Sequence, residues 1–229
     1  MLNTKYLAIP LLLVSAVLTG CATSRSEVKL STTATTPATA TAVSAQTQSA
    51  SNGKTVFIRS VKDERVFEEA PKEPSTPSLG SEGAKGSPEL IKAKAIARKR
   101  NTFGKALGDV LLGEGQTVTG VVKNDLKNAL KKAGYRVEEI DASRPDMIVL
   151  DVHIKQFWAW FQPGFWAIKL NANIETVIDV SGSGSPTTVS VHTEDSRQVA
   201  TDSAWIEAVD KGRQAYEAEA AIKLKDLQK

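Results

Sequence analysis

The sequence predicts an α+β domain of two layers. A mixed, mainly antiparallel sheet in the order β-α-β-β-β-α carries two helices on one face and a long β-hairpin. Three observations support that expectation. Apolar residues recur at helical spacing in two segments, near 118–133 and 205–224. From Met147 onward the period switches to two and holds through three runs. The first helical segment lies between two short β-rich runs, the pattern of a crossover between parallel strands.

"KTVFIRSV", residues 54–61, reads as the first strand. Residues 68–89 follow, rich in Pro, Gly and charge, and read as a mobile loop. In "GQTVTGVVKNDLKNALKKAG" the side chains Val118, Val122, Leu126, Ala129, Leu130 and Ala133 share one helical face, and Gly134 stops the helix. "YRVEEI" is a short strand.

In the next run Ile148, Leu150, Val152 and Ile154 point one way, and Asp151, His153 and Lys155 the other. Ile168, Leu170, Ala172, Ile174, Thr176 and Ile178 then alternate with polar residues, and Val189 and Val191 do so in 187–194. Such strands are half-buried, with one wet face. "SGSGSP", 181–186, is the turn between the last two. A final helix starts near Asp202 or Ser203, either of which can cap it. Its apolar line runs Trp205, Val209, Gly212, Tyr216, Ala220, Leu224.

The hairpin "QFWAWFQPGFWAIKL", 156–170, holds six of the thirteen aromatic residues. Parity requires an odd loop or a bulge. A three-residue loop, Pro163-Gly164-Phe165, pairs Ile154 with Ile174 and Trp160 with Ile168. On that register Trp158, Trp160 and Trp166 continue the core row. Phe157 and Phe161 fall on the wet face, with Phe165 in the turn. A contiguous apolar patch at a hairpin tip marks a contact surface for a partner. The other reading is that 68–89 or 90–115 folds over it.

The N-terminus gives an address. Lys5 and the apolar run Tyr6–Val17 form a secretory signal, too short to span a bilayer. "LTGC", 18–21, resembles a bacterial lipobox, which implies cleavage before Cys21 and lipidation of its sulfur; an ordinary signal with a chance cysteine is the alternative. Ala22 after the cysteine implies the outer membrane in a typical Gram-negative cell. Several acyl chains give firm anchoring. The domains are then 1–20, the signal peptide; 21–53, the lipidated Cys21 and a tether; and 54–229, a periplasmic α/β domain. About two-thirds of residues 22–53 are Ser, Thr or Ala, a composition that stays disordered.

The lipobox, "VKDER" at 61–65 and "RNTFGKALGDVLLGEGQTVTGVVKNDLKNALKKAGYRV" from Arg100 resemble the YajG-like bacterial lipoproteins, over roughly residues 54–227. The resemblance implies a small periplasmic α/β domain held at the outer membrane, with no established enzymatic activity. The order of elements is also similar to accessory lipoprotein domains that dock on envelope machines such as penicillin-binding proteins.

Little chemistry is visible. Cys21 is the one cysteine, which leaves none for a disulfide, a metal or a nucleophile in the domain. The formal charge of +3 falls to +2 when Lys5 leaves with the signal, too near neutral to argue for nucleic acid. "GSEGAKGS" lacks P-loop spacing and "SGSGSP" is no nucleophile elbow. The basic run Lys92, Lys94, Arg98, Lys99, Arg100 is a solvated face or a contact for anionic lipid. His153, Glu175 and His192 form a row across three strands on the three-residue-loop register, a weak candidate for zinc. No cofactor is expected. The expected role is a non-catalytic, lipid-anchored module that binds or scaffolds an envelope protein; the alternative is a glycan-binding module using exposed aromatics.

Overall fold

The computed structural model describes residues 25–32, 52–80, 82–101, 103, 105–139, 146–164 and 166–227. Cys21, residues 33–51 and Phe165 lie outside the described residues, and with them the lipidation site, most of the expected tether and one of the three phenylalanines. Within the described residues no helix is long and apolar enough to cross a membrane.

In chain order the elements are β1 (Ser26–Val28), β2 (Thr55–Asp63), α1 (Gly83–Gly86), α2 (Glu89–Lys94), β3 (Ala95–Arg100) and β4 (Ala106–Leu112). There follow α3 (Val118–Lys132), β5 (Arg136–Glu138), β6 (Ile148–Gln162), β7 (Ile168–Val180), β8 (Thr187–Arg197) and α4 (Asp202–Lys223). The expected β-α-β-β-β-α series is present with one strand more, as β2-α3-β5-β6-β7-β8-α4, in a mixed open sheet with the two long helices on one face. β2 and β5 pair in parallel across α3, as the crossover pattern predicts.

Besides the unexpected hairpin of β3 and β4, two segments differ from expectation. The sheet begins inside the stretch read as a tether, because β1 pairs in parallel with β4. Val28 and Leu30 are buried there, and Gln116 exchanges two hydrogen bonds with the backbone of Leu30. Two apolar residues at strand spacing outweigh the Ser/Thr/Ala composition around them. The 68–89 loop is packed down rather than mobile. Leu79 is fully buried, Pro74 accepts from the Trp158 indole at 3.2 Å, and Glu69 accepts from the backbone of Ala84 and Lys85.

The helices follow their sequence logic. Thr117 caps α3 by accepting from Gly120 N, and Gly134 ends it at φ +92°. Thr201, one residue ahead of the expected caps, accepts from Ala204 N and starts α4. Every member of the α4 apolar line is buried. At Gly212 an added Cβ would lie 3.2 Å from the Ala172 Cβ, so the glycine lets α4 sit close on β7.

Between the helices lies a charged group that apolar periodicity does not reveal. Arg213 is buried and donates to both oxygens of Asp125, at 2.9 and 2.7 Å, and to Asp210 at 2.6 Å. Burial pushes the Asp125 carboxyl up to about 6, against the pull of the Arg213 hydrogen bonds.

β6 organises the rest. β7 runs along one edge of it. On the other edge β2 pairs as far as Ile154, and β3 takes over at Ala159. Arg65 fills the split between them. Its Nη1 donates to the carbonyl oxygens of Ala95 and Phe157, its Nη2 to that of Lys92, and Asp63 holds it by a bidentate pair. The carbonyls exposed where one partner strand ends and the next begins are thus satisfied by a side chain.

Candidate functional site

The register of β6 on β7 shifts between Ile154 and Gln156, leaving Lys155 as a bulge. Lys155 Nζ reaches Glu64 Oε2 at 2.6 Å, and His153 Nδ1 lies 2.5 Å from Glu64 Oε1. "VKDER" therefore serves this junction: Asp63 and Arg65 close the split, and Glu64 holds the bulge. Lys155 first, then His153, draws the Glu64 carboxyl down to about 2 through hydrogen bonds.

The bulge inverts the aromatic parity. Phe157 and Phe161 are 1% and 8% exposed and join the helix-side core with Ala159. The contact patch expected from these two residues is therefore not a surface. Trp158 is buried on the opposite face in a second cluster with Leu79, Ala95 and Leu111, and Phe67 packs edge-on against it. The packed 68–89 segment supplies part of this cover, so it folds over the hairpin as one reading expected, but over Trp158 and not over the phenylalanines. Trp166 is 85% exposed instead of core, near the hairpin tip. The last β6–β7 pair is Gln162 with Lys169, so the loop is longer than the three residues expected.

The His153–Glu175–His192 row does not form. His153 stands opposite Val177 and His192 opposite Asn173, while Glu175 faces Gln156 and Ser190. His153 and His192 are thus four residues apart along β7, roughly 13 Å. Among the described residues no three His, Cys, Asp or Glu side chains gather as a metal site. The basic run is engaged as well: Lys92 pairs with Glu89, Lys94 with Glu27 and Lys99 with Asp202. Arg98 is half-buried, and that burial lowers its pKa.

What the new register does build is a groove of about 570 Å³ on the wet face of β6, β7 and β8. Its walls are Ser75, Gln156, Trp160, Asn173, Glu175, Ser190, Val191 and His192. Two cross-strand rows form its floor, Gln156–Glu175–Ser190 and Asn173–His192. Ser75 comes from the packed loop, which closes one side.

The polar groups are held in place. Ser190 Oγ donates to Glu175 at 3.1 Å, and His192 Nδ1 lies 2.7 Å from Asn173 Oδ1. The Trp160 ring stands 5.6 Å from the His192 ring at 33°. Gln156 Oε1 is buried and has no hydrogen-bond partner, an acceptor that a ligand hydroxyl could satisfy. A half-buried indole beside amides, one carboxylate, an imidazole and hydroxyls can take a polar ligand that also has an apolar face. Sequence reasoning named Glu175 and His192 but for a different chemistry. It missed Gln156, Asn173 and Ser190, because a groove across three strands depends on register.

No family model and no curated protein matches the chain. Among solved structures, an uncharacterized protein is 10% identical with a TM-score of 0.43, over 89% of this chain and 99% of that one. A Xanthomonas campestris protein assigned to family DUF330 is 10% identical with a TM-score of 0.45, over 80% and 87%.

Proposed function

We propose that the protein is a lipid-anchored, non-catalytic module of the bacterial envelope that holds a glycan in the groove of β6, β7 and β8. The observation that carries this reading is the lining itself. Sugars present pairs of hydroxyls to planar amide and carboxylate groups, and C–H faces to an aromatic wall. Gln156, Asn173, Glu175 and Trp160 offer both. Scaffolding through Phe157 and Phe161 loses its surface, since both are core.

Binding without hydrolysis follows from the charge of the lining. The usual glycosidase route needs two carboxyl groups across the bond, and Glu175 is the one carboxylate among the lining residues. The envelope address rests on the signal, the lipobox at Cys21 and Ala22, with the resemblance to YajG-like lipoproteins in support. It places the domain in the periplasm at the outer membrane, where peptidoglycan and other polysaccharides are within reach.

Co-sedimentation of the full chain with insoluble peptidoglycan tests this reading. The protein should pellet with the polymer, and Asn173→Ala should remain in the supernatant. Equal pelleting of both would mean that the groove is not where the glycan binds.

A further inference from the structure

Six large apolar side chains are exposed among the described residues: Val66, Leu90, Phe103, Trp166, Val199 and Ile222. Scattered singly, such residues need no explanation. Three of them, however, including both aromatics, lie at one end of the sheet. The β3–β4 hairpin turns between Arg100 and Ala106, carrying Phe103. β3 runs parallel to β6, so this turn lies beside the β6–β7 turn, which carries Trp166. Arg197 of β8 pairs with Ile168 at the same end, two residues before Val199.

The chain leading into the domain arrives from that end too. β1 is parallel to β4, with Ser26 opposite Val110, and β4 begins at the β3–β4 turn. From the level of Ser26 to that of Ala106 is four residues, about 13 Å. Cys21 precedes Ser26 by five residues, which span at most roughly 18 Å. A lipid on Cys21 is therefore within reach of the level of the Phe103 and Trp166 turns and can extend little further. Residues 33–51 follow β1 in the chain and precede β2.

Charge fits the same partner. Four acids near this end are engaged: Asp202 with Lys99, Glu194 with Lys169, Asp195 and Glu207 with Arg197. Lys105 is exposed beside Phe103. Aromatic residues flanked by a cation suit the headgroup region of a membrane, where the ring enters the acyl boundary and the charge stays in water.

We infer that this end of the sheet is a membrane-docking face, with Phe103 and Trp166 lodged in the bilayer interface and Cys21 anchored beside them. The anchor rests on the lipidation proposed above; the burial of the two rings does not. The domain would then stand end-on to the membrane, with the groove opening sideways from the sheet face.

The test uses the full chain purified from membranes and reconstituted in phosphatidylethanolamine–phosphatidylglycerol vesicles with brominated acyl chains. Bromine quenches only tryptophans that enter the acyl boundary. Trp158 and Trp205 are buried and Trp160 lines the groove, so Trp166 should dominate the quenching. Trp166→Tyr should lose most of it. Equal quenching in both proteins, or none in either, would overturn the docking face. A contact to a protein partner instead would give no quenching and would likewise overturn it. Mass analysis of the peptide containing Cys21 reads the anchor separately: an unmodified thiol would sink the lipid-anchor reading, while quenching lost in Trp166→Tyr would still support the docked end.

Discussion

Arg65 reaches into the gap between β2 and β3, and its Nη1 donates to the Phe157 carbonyl oxygen at 3.0 Å. The same guanidinium serves Ala95 and Lys92, so one side chain joins α2, β3 and the aromatic strand. Arg65→Met should remove the donor from three carbonyls. Each buried polar group left unsatisfied costs about 1–3 kcal/mol, so the total should be roughly 3 kcal/mol or more. Urea unfolding measures it. Arg65→Lys should recover little, because an ammonium cannot reproduce the planar fork. A loss under about 1 kcal/mol in Arg65→Met would show that the gap is closed in another way.

The inverted parity makes a second prediction. Phe157→Ala empties a core site and should cost about 3–5 kcal/mol. Trp166→Ser, at an exposed position, should stay within about 0.5 kcal/mol in detergent solution. Thermal unfolding of both variants decides; the reverse ranking would mean that the bulge at Lys155 is absent.

Much of the fold was legible in the residues, and the failures share a cause. Both long helices, the parallel crossover and the alternating strands follow from periodicity that burial imposes locally. The α4 line from Trp205 to Leu224 is buried as its spacing requires. The aromatic faces were not legible, because a single extra residue reverses every side chain beyond it. The adjacent polar pair Lys155-Gln156, between Ile154 and Phe157, was the available signal. β1 was hidden by composition, with only Val28 and Leu30 to mark it. The groove stayed invisible because its rows depend on the registers of three strands, and the expected register put His153 beside Glu175 instead of Gln156.

The Glu64 carboxyl should titrate near pH 2 rather than at its ordinary 4.5. Its folded value is depressed, so the stability it contributes is present above pH 4.5 and is lost as pH falls from there through about 2. Carboxyl chemical shifts give the midpoint directly. Lys155→Met removes the first cause and should move the midpoint upward. An unmoved midpoint would place Lys155 away from Glu64.

Asp125→Ala should leave the buried Arg213 guanidinium with Asp210 and without its bidentate partner. Breaking a buried pair in this way costs about 3–5 kcal/mol. Denaturant unfolding should show the loss. An effect near zero would mean that water enters between α3 and α4 and solvates the charge.

The central claim is that the groove lined by Trp160 and His192 holds a glycan, and a nuclear magnetic resonance titration with soluble peptidoglycan fragments tests it most directly. The Gln156 and Asn173 side-chain amides and the Trp160 indole N–H should shift together with added fragment and saturate on one binding curve. The Gln156 amide and Trp160 indole signals should be still in Asn173→Ala protein that keeps the wild-type melting temperature. Shifts confined to the Phe103 and Trp166 turns, or none at saturating fragment, would contradict the account.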